Sequence, residues 1–305
     1  MKMIFSADYM DSDVAYLIGA IVARGELMMA EGAFRLIIRY PKGNLLAAGE
    51  EIQFDTDKEI RLGMDKVRER FLELLDTDIK TIDAGESWDL VIRSSRNTIA
   101  WRNIMMLMEG KTSFPYFKVP SIFLAQDTPT EIKMEFIRGF ADVGGNIRPA
   151  NRDEAGRHRV RLDILNYPTN WEVPIQLCTL LQEHLEVPVR LITWGHPNLG
   201  REWREHQLNV YAEDFKDVGF YFDYKQQALN ELAQKNLSRF HTRVSPCPGV
   251  RKGRQKKPSS QLENSDRLAP QLIGKHFNAY WQICKALGCQ RKPAPSEQLE
   301  LVLEE

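Results

Sequence analysis

Apolar positions along the chain change period in a fixed order, and the order occurs twice. Residues 16–27, "YLIGAIVARGEL", carry the apolar face of a helix that ends at glycine and gives way to a strand. In "GELMMAEGAFRLIIRYP", Phe34, Leu36, Ile38 and Tyr40 alternate with Arg35, Ile37 and Arg39, the period of a half-buried strand. "DKEIRLGMDKVRERFLELL" returns to helical spacing, with Ile60, Met64, Val67, Phe71 and Leu74 on one face. "DIKTIDA" and "SWDLVIRS" predict a hairpin around Gly85, and "TIAWRNIMMLM" a closing helix.

The order restarts near residue 130. "TEIKMEFIRGFADVGG" sets Met134, Ile137, Phe140 and Ala141 at helical spacing and again ends in glycine. "GNIRPA" and "HRVRLDIL" read as strands, "WEVPIQLCTLLQEHL" as an amphipathic helix with Cys178 in its core face, "PVRLITWG" and "EHQLNVYA" as a hairpin, and "YKQQALNELAQK" as a helix. Two αββαββα blocks of about a hundred residues each predict a pseudo-twofold α+β pair with antiparallel sheets. The expected units are 1–128 and 129–232, followed by a small C-terminal module, 233–305.

Charge changes the picture only at that module. The 305 residues sum to −1, yet 1–128 carry 16 basic and 20 acidic side chains, 129–232 carry 12 and 16, and 233–305 carry 13 and 6. The module is thus a basic attachment to a nearly balanced body, and its run "RKGRQKK" reads either as a solvated linker or as a contact to phosphates. No apolar run is long enough to span a membrane and the opening residues lack a signal peptide's apolar stretch, so the expected location is cytoplasmic. The four cysteines are too few and too uneven for a disulfide framework.

The nine residues Leu17 to Gly25, "LIGAIVARG", resemble the LAGLIDADG motif, and Ile137 to Gly145, "IRGFADVGG", look like its second copy. The approach "KVPSIFLAQDTPTEIKMEFIRGFADVGG" is similar to the entry to the second motif in two-repeat LAGLIDADG homing endonucleases. The resemblance covers about residues 10–232 and implies two motif helices packed at the centre through small residues. Gly19 with Ala23, and Gly139 with Val143, are spaced for that contact. It also implies saddle-shaped sheets lying along duplex DNA, and an acid at the eighth motif position of each helix holding Mg for strand cleavage.

Here those eighth positions are Arg24 and Gly144, neither of which ligates a hard cation. Arg24 suits either a phosphate or the negative end of its own helix. Glu26 and Asp142 are the only nearby acids, each two residues from a motif position. Residues two apart on a helix face different sides, so Asp142 either reorients to replace the lost acid or hydrogen-bonds near its helix end.

DNA binding does not need those acids. Alternation puts Arg35 and Arg39, and in the second block Arg159 and Arg161 with Arg148, Arg152 and Arg157 beside them, on the sheet faces away from the core. Arginine binds phosphate and reads guanine bidentately, whereas solvated polar faces are the plainer alternative. Arg93, Arg190 and Gln207 are secondary candidates. In the tail, His241, Cys247, Cys284 and Cys289 form a candidate zinc site, and His276 to Leu287 is expected to be one helix.

The sequence therefore points to a LAGLIDADG-like, monomeric reader of double-stranded DNA. It would act as a regulator or as the targeting component of a restriction or defence system, with a separate effector protein. The alternatives are an Mg-dependent homing or restriction endonuclease using Glu26 and Asp142, and an RNA intron maturase.

Overall fold

The computed structural model describes residues 10–30, 33–95, 98–148, 156–166, 172–197, 204–239, 275–277 and 282. Helix α1 (Ser12–Arg24) starts where the Asp11 carboxylate accepts the Val14 N–H at 2.8 Å, satisfying one of the first-turn donors. It passes directly into β1 (Gly25–Ala30), then β2 (Ala33–Pro41), the short α2 (Lys42–Leu45), α3 (Thr56–Leu75), β3 (Asp78–Asp83), β4 (Ser87–Ser95) and α4 (Ile99–Leu107). The second block repeats this with α5 (Thr130–Gly144), β5 (Gly145–Arg148), β6 (Arg159–Asn166), α6 (Glu172–Thr179), β7 (Leu191–Pro197), β8 (Arg204–Tyr211), α7 (Ala212–Phe215) and α8 (Asp223–Arg239). The antiparallel strands are ordered β1-β2-β4-β3 in one sheet and β5-β6-β8-β7 in the other, the same permutation twice.

The expected helix and strand faces are buried as the spacing requires: Ile60, Met64, Val67 and Phe71 from α3, Leu36, Ile38 and Tyr40 from β2. The blocks share one core, in which Tyr40 and Phe222 rings meet at 6.1 Å and the Tyr224 hydroxyl donates to the Leu45 carbonyl at 2.6 Å.

At the centre α1 crosses α5. A Cβ on Gly19 would lie 2.9 Å from both Phe136 C and Phe140 N, and one on Gly139 would lie 2.8 Å from Tyr16 C. The carbonyl oxygens of Phe136 and Tyr16 are closer still. Only hydrogen fits at either position, and the seats are reciprocal: each glycine faces the residue three before the other, as a twofold relation demands.

Two expectations for the C-terminal segment are corrected. His276 and Phe277 do not begin a helix; they form a short strand, β9 (His276–Phe277), antiparallel to β7 with Ile192 opposite Phe277. Helix α8 also runs unbroken through position 232, so the third segment begins inside it. The candidate zinc residues His241, Cys247, Cys284 and Cys289 and the candidate Arg152 lie outside the described residues. Among the described residues no helix is long and apolar enough to cross a membrane.

Candidate nucleic-acid interface

The helices cross at Gly19 and Gly139, and the motif positions lie beyond the crossing, at the ends of α1 and α5. Arg24, the last residue of α1, is 8% exposed, with its guanidinium 5.9 Å from the centre of the Phe114 ring. Gly144 ends α5, where a Cβ would come 3.2 Å from the Asp163 carbonyl oxygen. Glu26 opens β1; its carboxylate accepts from the Ser113 hydroxyl at 2.9 Å and lies 3.5 Å from the Arg39 guanidinium.

The equivalent residue in the second block is Asn146, which donates to Asp163 at 2.7 Å and to the Asn44 side chain at 3.3 Å. Arg161 also donates to Asp163, at 2.7 Å, while Asn44 donates to the Val143 carbonyl at 3.1 Å. Lys225, fully buried, donates to the Gly145 carbonyl at 3.0 Å, and desolvation lowers its pKa to about 8.

Asp142 does not bond locally near its helix end. Its carboxylate accepts from the Tyr16 hydroxyl of the opposite motif helix at 2.7 Å and from the Tyr221 N–H at 3.1 Å. Complete burial raises its pKa to about 6, against the opposing pull of Lys225, these hydrogen bonds and Arg138. The reciprocal positions under the 19-to-139 relation, Val22 and Phe136, are both apolar, so this polar link exists on one side only.

These donors do not fit a divalent cation at the paired motif positions. One position is a guanidinium, the other has no side chain, and the neighbouring carboxylates Glu26 and Asp163 are occupied by Ser113, Arg39, Arg161 and Asn146. Among the described residues no cluster of three His, Cys, Asp or Glu side chains could hold a metal ion.

The sheet faces turned from the core carry the remaining candidates. Register sets Arg35 directly opposite Arg93, with Asp78 beyond; the next row is Glu26, Ile37, Val91 and Lys80, and the next Arg39, Asp89 and Ile82. Arg93, Lys80 and Asp78 are exposed, and Arg35 and Arg39 half-buried. Among the described residues neither Arg35 nor Arg93 makes an ion pair.

In the second sheet Arg148 stands opposite Arg159, which occupies the place of Arg35 relative to its opening glycine. Desolvation, and next the nearby Arg161 charge, lower the Arg148 pKa. Arg157 and Arg159 are not on an open face: they are 4% and 8% exposed. Arg157 pairs with Glu213 and lies over the Tyr211 ring, and Arg159 donates to Asn209 at 3.0 Å. Of the secondary candidates, Arg190 pairs with Asp214 at 2.9 Å and Gln207 is buried.

The class this architecture defines is a pseudo-twofold α+β pair of αββαββα units joined through crossed helices. No family model and no curated protein matches the sequence. Among solved structures the chain is similar to full-length DUF199/WhiA from Thermatoga maritima, with 11% identity, 80% of this chain and 64% of that one covered, and a TM-score of 0.43. It thus spans less than two thirds of that protein's length. The N-terminal LAGLIDADG domain of DUF199/WhiA aligns at 11% identity over 78% of this chain and 90% of that one, TM-score 0.40. The homing endonuclease I-DmoI, in complex with DNA and Mn, aligns at 16% identity over 68% and 95%, TM-score 0.40.

Proposed function

We propose that this chain binds double-stranded DNA with sequence preference through its arginine-bearing sheet faces and does not cut it. It would serve as a regulator, or as the targeting component of a restriction or defence system that supplies cleavage through another protein. The observation that carries the reading is the cross-strand pair Arg35 and Arg93. Like charges directly opposite each other destabilise a sheet, and among the described residues no carboxylate pairs with either. A polyanion relieves that repulsion, and arginine supplies both phosphate contacts and bidentate contacts to guanine. The absence of cleavage rests on Arg24 and Gly144, which leave the helix ends without paired carboxylates.

One observation favours the rival nuclease: Glu26 is a partly exposed carboxylate just beyond the end of α1. Selection of bound duplexes from a random pool, run with and without magnesium, separates the readings. The expected result is enrichment of one sequence in both arms, affinity that falls steeply with salt, and intact DNA. Cleaved products abolished by Glu26→Ala or Asp142→Ala would establish the nuclease. Structured RNA outcompeting duplex at equal salt would reject DNA as the ligand.

A further inference from the structure

We infer that the two sheet faces are unequal partners for the duplex: the first sheet reads bases, through Arg35 and Arg93 above all, while most of the matching polar positions of the second are buried. The inference rests on the DNA-binding reading above and adds where specificity lies.

The physical contrast is between exposed and buried polar groups. On the first sheet Arg93 and Lys80 are exposed, and Arg35 stands half-buried directly opposite Arg93 with no ion pair among the described residues. Directly opposed residues place their Cβ atoms about 5 Å apart, and DNA stacks its base pairs about 3.4 Å apart, so two such guanidiniums reach neighbouring base edges or one phosphate and the adjoining base.

In the second sheet the row matching Arg35 and Arg93 is Arg148, Arg159 and Tyr211, of which Arg159 and Tyr211 are buried. The rows matching those of Glu26 and Arg39 are Asn146, Arg161 and Asn209, then Asp163, Gln207 and Thr193. All but Arg161 are buried. Asp163 takes hydrogen bonds from Asn146 and Arg161, and Asn209 takes one from Arg159 while donating to the Leu191 carbonyl at 3.4 Å. A base edge entering this face would have to break those bonds, and each buried group left unpaired costs more than the new contact returns. The first sheet places Ile37, Val91 and Arg39 where the second has Arg161, Asn209 and Asp163, so the network has no counterpart there.

The test uses the full chain and the duplex most enriched from the random pool. Arg35→Ala and Arg93→Ala are compared with Arg161→Ala and Gln207→Ala, with thermal melting as a folding control. Loss of a bidentate base contact is worth roughly ten- to a hundredfold in affinity for the right base, so each first-sheet variant should weaken binding by that much and flatten base preference at adjoining positions. The second-sheet variants should stay within about threefold, as expected of groups outside the base contacts. The enriched site should be asymmetric, with strong preference in one half.

A palindromic site, or second-sheet variants that cost as much as Arg35→Ala while melting normally, overturns the inference and leaves DNA binding standing. A wild-type chain that enriches no duplex overturns both.

Discussion

Gly19→Ala tests the crossing on which the whole architecture depends. The added methyl would sit 2.9 Å from Phe136 C and Phe140 N and nearer still to the Phe136 carbonyl oxygen, all backbone atoms of the opposite helix. No rotamer can relieve a backbone clash, so α1 and α5 must part by about 1 Å, weakening dispersion contacts along the seam. Overpacking of this kind costs about 1–3 kcal/mol, and a rigid obstacle belongs at the upper end. Replacing a mid-helix glycine by alanine returns about 1 kcal/mol of helix propensity. The net cost is about 2 kcal/mol, or roughly 4–8 °C in Tm for a body of this size. Gly139→Ala should behave alike, because its seat against Tyr16 is the reciprocal one. The double variant should lose less than the sum, since helices already parted for one methyl accommodate the second. Thermal melting monitored by circular dichroism reads all three. A Gly19→Ala variant that melts at or above the wild-type temperature would refute the crossing.

Other parts of the body make separate predictions. The folded pKa of Asp142, about 6, lies above its ordinary 3.8, so the folded state holds its proton more tightly than the unfolded chain. That stabilisation is complete below about pH 4 and is lost as pH rises through 6, a difference on the order of 3 kcal/mol. In urea titrations from pH 4 to 7, Asp142→Asn should abolish this component of the slope; identical pH profiles would contradict the buried, proton-retaining carboxylate. Glu231 accepts the backbone N–H groups of Glu50 and Glu51, each at 2.9 Å, and of Ile52 at 3.1 Å, and so clasps the first block to α8. Glu231→Ala should cost about 1–2 kcal/mol and accelerate amide exchange at 50–52, with distant strands unaffected.

Much of the fold was legible because its signals are local. A stripe of four buried residues on α3, alternation on β2 and paired glycines at two helix ends each fix an element without reference to anything distant. What escaped depends on partners far along the chain. Tyr16 is the residue that occupies Asp142, yet nothing near either position announces the other. Alternation correctly gave the side of the sheet on which Arg159 stands but not that this side is buried. The apolar spacing after His276 fitted a helix, while pairing of Phe277 with Ile192 at a sheet edge drew the residue into a strand. No local signal marks Asn44, although it is the side chain that meets the end of α5 from the other repeat.

The asymmetry of the centre and that of the sheet faces have a common source. Two reciprocal glycine seats fix the crossing of the motif helices whatever side chains stand at their ends, so the two blocks share a frame without sharing chemistry. In the second block Gly144 lies tight against the Asp163 carbonyl oxygen, and Asn44, Asn146, Arg161 and Lys225 bind the surrounding carboxylate and carbonyls. Such a buried polar knot rigidifies this side of the centre. In the first block Glu26 and Arg39 stay partly exposed, in the two rows that follow the one holding the opposed arginines of β2 and β4. On the proposed reading, one half of the pair therefore holds the geometry and the other half makes contact. A substitution in the Asn146–Asp163–Arg161 knot should register first in stability and one in Arg35 or Arg93 first in affinity, because Asn146 and Asp163 are buried whereas Arg93 is exposed.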